Sequence, residues 1–86
     1  MNDFYKKLKS LREEKGIDLE KIHKRTKISL SALHAIEKGQ FDQLPYTYIR
    51  LFLRAYAVEI GVDPKEALED LEVTLATKPF LRTKKT

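Results

Sequence analysis

Glycine and proline cut this chain into stretches of at most 22 residues, about six helical turns, so no long regular element can form. Gly16, Gly39 and Gly61 are its only glycines, and Pro45 and Pro64 fall among them. Glycine just past a helix end and proline at its first turn are stop and start signals. Between these marks, apolar residues recur at helical spacing. Asp3 stands as an N-cap before a first helix carrying Phe4, Leu8 and Leu11, which Gly16 ends. Asp18 caps a short second helix with Leu19 and Ile22 inward, and Arg25-Thr26-Lys27 forms a turn. Ser29 then caps a third helix with Leu33 and Ile36 inward, stopped by Gly39. A loop from Gln40 to Leu44 tucks Phe41 and Leu44 under the fold. Pro45 opens a fourth helix, Tyr46 to about Ile60, and Asp63-Pro64 starts a fifth that runs to about Ala76 with Leu68, Leu71 and Leu75 on one face. No strand pattern and no repeat occurs, so the reading is all-α with five helices.

At 86 residues there is room for one domain, expected over residues 1–77, with 78–86 as a basic, juxtamembrane and flexible tail. No cysteine is present, which excludes disulfides and thiolate metal sites. No apolar run nears the roughly 18 residues that cross a bilayer. His23 and His34 lie on different helices without further ligands, so no metal and no cofactor is expected. Asp63 reads as a cap, three glycines cannot build a phosphate-cradling loop, and no nucleophile, base and orienting group come together. The expectation is a binding module and no enzyme.

Charge is unevenly distributed. Residues 1–38 hold 10 Lys/Arg against 6 Asp/Glu, residues 39–77 hold 3 against 7, and the tail carries Lys78, Arg82, Lys84 and Lys85 with no acid. The folded part is dipolar and neutral overall, which weakens the nucleic-acid reading that a pI near 9.4 suggests.

The stretch LEKIHKRTKISLSALHAIEKG, preceded by Leu11-Arg12, resembles the helix-turn-helix of phage-repressor-like proteins. The strings RTKIS, AIEKGQFDQLP, YIRLFLRAYA and GVDP, within residues 8–75, resemble the cytoplasmic N-terminal domains of the RodZ family of bacterial cell-shape proteins. That resemblance implies a domain on the cytoplasmic side of the inner membrane, in a longer single-pass protein. It also implies binding of the actin-like filament protein MreB through fourth-helix aromatics, which fall on Tyr48 and Phe52 here. Leu51 stands where the family often has glycine.

Reading of bases in the major groove needs forked donors and acceptors. Ser29-Leu30-Ser31-Ala32-Leu33-His34 offers no Arg, Lys, Asn or Gln, and Leu30 is expected at a forward, exposed position. Leu19 replaces the glutamine that commonly holds a phosphate in the repressor-like pattern. Lys21, Lys24, Arg25 and Lys27 form a basic cluster that reads as a solvated face balanced by Glu20. It could otherwise serve as a non-specific contact for phosphate, an acidic protein or lipid headgroups. A DNA-binding transcription regulator is the rival function, and it would need a dimer addressing two half-sites.

The fourth helix is apolar over an arc of about 220°, whereas a helix resting on one core needs roughly 100°. Either it is clamped centrally, or the sector near Tyr48, Leu51, Phe52 and Ala55 is exposed for docking. The family resemblance implies a mixture, with Tyr48 at the surface, Phe52 at the border and Tyr56 in the core. Arg50 and Lys38 are then candidate orienting charges for the partner. The tail cations Lys78, Arg82, Lys84 and Lys85, interleaved with Phe80 and Leu81, suit an anionic membrane surface.

Overall fold

A computed structural model describes residues 3–76. Five helices follow one another: α1 (Phe4–Glu14), α2 (Leu19–Thr26), α3 (Leu30–Glu37), α4 (Ile49–Glu59) and α5 (Pro64–Ala76), with single 3-10 turns at Phe41–Gln43 and Tyr46–Tyr48. No strand occurs among the described residues, and none of their helices is long and apolar enough to cross a membrane.

The three glycines close α1, α3 and α4 in the same way. Each has positive φ, between 67° and 79°. Two backbone bonds complete each ending: Ile17 N–H to Arg12 and Gly16 N–H to Glu13, Gln40 to Ala35 and Gly39 to Ile36, Val62 to Ala57 and Gly61 to Val58. This is the Schellman arrangement, which satisfies carbonyls that the helix leaves open. Gly39 has a second reason to lack a side chain, because an added Cβ would lie 2.5 Å from the Tyr5 ring.

The N-termini divide. Ser29 Oγ accepts the Ala32 N–H at 3.1 Å, and Asp63 Oδ1 accepts that of Lys65 at 3.0 Å, so both cap as expected. Asp3 and Asp18 occupy N-cap positions, but neither side chain caps a backbone N–H of its helix. The Asp3 carboxylate instead meets the Tyr5 hydroxyl at 3.1 Å and Lys6 at 3.6 Å, partners that compete with the backbone. The fourth helix also starts later than the expected Tyr46. Pro45 keeps an extended ψ of 127°, and Tyr46–Tyr48 forms a tight turn before α4 begins. Bulky aromatics and β-branched Thr47 lose rotamer freedom in a regular helix, so nothing local favours the wider coil here.

The core lies where α1 and the α2–α3 pair meet α4 and α5. Ile22, Leu33, Ile36, Phe41, Ile49, Leu53, Tyr56, Ile60 and Leu71 are its fully buried large side chains. Leu11 and Leu19, expected to face inward, sit at its margin. On α5 the buried stripe is Ala67, Leu71, Thr74 and Leu75, while Leu68 is half-buried at its edge. Phe4 stacks on Phe41 with ring centroids 6.0 Å apart, and Tyr5 packs edge-on against both.

Candidate partner-binding surface

The helix-turn-helix pair is built for rigidity. Thr26 Oγ donates to the Ile22 carbonyl at 2.7 Å and accepts the Ile28 N–H at 3.1 Å, while Lys27 takes a left-handed φ of 69°. His23 Nδ1 lies 2.7 Å from the Ile28 carbonyl, which can only accept, so the histidine N–H points inward and holds the turn. No group of three metal-ligating side chains occurs among the described residues.

Leu30, expected at an exposed reading position, is half-buried and packs on the core. Ser31 and His34 are what α3 presents outward. In the basic cluster, Lys21, Lys24 and Lys27 are exposed. Arg25 pairs with Glu59 of α4 at 2.6 Å, so the acid bound to the cluster comes from another helix.

A buried polar junction sets how α4 sits on the pair. Arg12 Nε and Nη2 donate to the Glu37 carboxylate at 2.6 and 3.2 Å, and Arg12 Nη1 donates to the Ile17 carbonyl at 2.7 Å. The Tyr56 hydroxyl donates to the same carboxylate. The side chains of Arg12 and Glu37 are only 11% and 4% exposed, and no buried side-chain polar atom lacks a partner among the described residues. Three helices thereby share one satisfied network.

Burial above all, then the hydrogen bond and charge of Glu37, raise the Tyr56 phenol above its ordinary pKa of 10.0. The folded state therefore keeps this proton after the unfolded chain has lost it. The resulting stability is complete below pH 10 and declines as pH rises further, by up to about 1.4 kcal/mol per pH unit. Urea unfolding at several pH values on either side of 10 should show this decline setting in above it, and Tyr56→Phe should flatten it. An unchanged slope in the variant would show that other groups cause it.

Beyond the junction, α4 divides lengthwise. Ile49, Leu53, Tyr56, Ala57 and Ile60 are buried. On the other side Tyr48, Leu51 and Val58 are 50%, 57% and 55% exposed. Phe52 and Ala55 are half-buried along the same side. The Tyr48 and Phe52 rings stack, with centroids 5.7 Å apart and planes 12° from parallel. The wide apolar arc is thus half core and half surface. Of the six anticipated partner residues, Tyr48, Leu51, Phe52 and Ala55 share this stripe. Arg50 points away, gripping Glu72 of α5 at 2.5 and 3.0 Å and lying over the Tyr46 ring. Lys38 is exposed at the C-terminal end of α3. Lys78, Arg82, Lys84 and Lys85 lie outside the described residues.

An all-helical body with a rigid turn between α2 and α3 defines the class, and the chain belongs to the helix-turn-helix domain family, whose model matches residues 7–67. The cytoskeleton protein RodZ of Streptococcus pneumoniae is 38% identical over 63 residues, which are 72% of this chain and 23% of that protein. This is a helix-turn-helix domain of the RodZ type, and the matched segment spans about a quarter of that relative's length. No solved structure gives a significant match.

Proposed function

We propose that this domain is a non-enzymatic adaptor in bacterial cell-shape maintenance, joining the actin-like filament protein MreB to the membrane. The observation that carries the reading is the exposed stripe on α4, with Tyr48 and Phe52 already stacked before any partner arrives. Exposed apolar patches of this kind mark interaction sites, and aromatic anchors contribute much area while freezing few torsions. Five side chains make a small footprint, so repeated contacts along a polymer supply avidity that one site lacks. Lys38, with Arg54 beside the stripe, orients the encounter, and Arg50 acts indirectly by fixing Tyr46 and α5. The tail cations Lys78, Arg82, Lys84 and Lys85 face the anionic inner leaflet, as the cytoplasmic flank of a membrane span in a longer protein.

Co-sedimentation with MreB polymer tests the central contact. Tyr48→Ala combined with Leu51→Ala should weaken binding at least roughly tenfold, and it should cost no more than about 1.5 kcal/mol of unfolding free energy, the upper worth of the lost Tyr48–Phe52 stack. Pelleting at wild-type levels would remove the stripe from the reading. Recognition of one operator over scrambled duplexes at physiological salt would move the domain to the transcription regulators instead.

A further inference from the structure

The turn Tyr46–Tyr48 carries the first aromatic ring of the stripe, yet none of its side chains is buried. Leu44 before it and Ile49 after it sit in the core, so the core fixes the ends of this segment and leaves its middle outside. One backbone bond, from the Tyr48 N–H to the Pro45 carbonyl at 2.8 Å, closes the turn. Side chains add two parallel contacts, each with the residue four positions on. Arg50 Cζ lies 5.7 Å from the Tyr46 ring centroid, and the Tyr48 ring stacks on Phe52.

The first of these contacts is tied to a different helix. Arg50 Nε and Nη2 donate to the two carboxylate oxygens of Glu72 on α5, at 2.5 and 3.0 Å. Two parallel bonds fix the plane of a guanidinium, which a single bond leaves free to turn. The side chains are 43% and 53% exposed, so the pair matters less for global stability than for where it holds Arg50. Glu72, Arg50 and Tyr46 therefore form a chain from α5 to a part of the stripe that the core does not grip.

We propose that Glu72 is a positioning residue for the docking stripe: through Arg50 it pins Tyr46, and so holds the turn in the form in which Tyr48 lies stacked on Phe52. Its effect on binding rests on the stripe being the docking surface, as in the adaptor reading above. Apparent affinity scales with the fraction of molecules already in the competent arrangement, and Glu72 raises that fraction.

Glu72→Gln removes the charge and breaks the fork with almost no change in size. In the free domain, NOE intensities between the Tyr48 and Phe52 rings should fall at least roughly twofold, while those within the buried Leu53–Tyr56 region stay at parental values. Co-sedimentation with MreB polymer should weaken roughly threefold. Arg50→Lys, which keeps the charge and loses the fork, should reproduce both changes. In a Tyr48→Ala background there is no ring left to position, so Glu72→Gln should have no further effect on pelleting. Full additivity there would mean that Glu72 meets the filament directly or acts on the whole fold, and would overturn the proposal. Parental ring contacts or parental pelleting in Glu72→Gln would overturn it as well. If the parent itself does not pellet, the adaptor reading fails, and the ring contacts of the free domain decide the positioning role on their own.

Discussion

Glu37→Ala should cost the domain about 3–5 kcal/mol, the usual effect of removing one member of a buried ion pair. The loss does not reflect the worth of the pair itself. It reflects what is left behind: an Arg12 side chain 11% exposed that keeps the Ile17 carbonyl but loses its carboxylate partner, and a buried Tyr56 hydroxyl that loses its acceptor. Small domains have about 5–15 kcal/mol in total, so much of the stability goes with one carboxylate. In urea the midpoint should fall by roughly 3–5 M for a slope near 1 kcal/mol/M. Replacing both ends, Arg12→Met with Glu37→Leu, should destabilise less than Glu37→Ala alone, because no charge is stranded. A Glu37→Ala midpoint within about 0.5 M of the parent would mean that water readily reaches Arg12 and the junction is not a closed network.

Gly39→Ala should have the next largest effect, about 2–3 kcal/mol or a drop in Tm of roughly 10–20 °C. One part is the left-handed φ of 70°, which disfavours any Cβ. The other is contact: the new carbon would lie 2.5–2.8 Å from three Tyr5 ring atoms, forcing that ring away from Phe4 and Phe41. Gly16→Ala is the internal control. Its φ is 67°, but an added Cβ there meets nothing within 4 Å. It should therefore show the backbone part alone, about 1–2 kcal/mol. Equal melting temperatures for the two variants would show that the Tyr5 ring yields without loss.

The glycine endings are legible in the sequence because a left-handed helix end is a local requirement that one residue type meets best. Caps are legible only in part. Ser29 and Asp63 bond as their positions predict, whereas Asp3 has Tyr5 and Lys6 as nearer partners. The Arg12–Glu37 pair escapes a reading by segments, since its members are 25 residues apart and a charge on a helix ordinarily means solvent. A signal was nevertheless there. Arg12 continues the Phe4–Leu8 spacing on α1, and Glu37 follows Ile36 on the inward side of α3, two opposite charges on two apolar faces. For α4 the excess of apolar surface is visible from sequence alone, but its division is not. Which half meets solvent depends on where α5 packs, and that is a tertiary fact. Leu30 is the converse case: expected at an exposed reading position, it is half-covered by the core it packs on.

The lengthwise split of α4 separates two kinds of constraint on a single helix. Leu53, Tyr56 and Ala57 answer to the interior, and a change in any of them is felt by every neighbour. Leu51 and Val58 are more than half exposed, and Tyr48 is tied to the interior mainly through its stack on Phe52, so these three carry little of the core's packing. An engineer could rewrite Leu51 and Val58 while leaving the domain's melting behaviour nearly untouched.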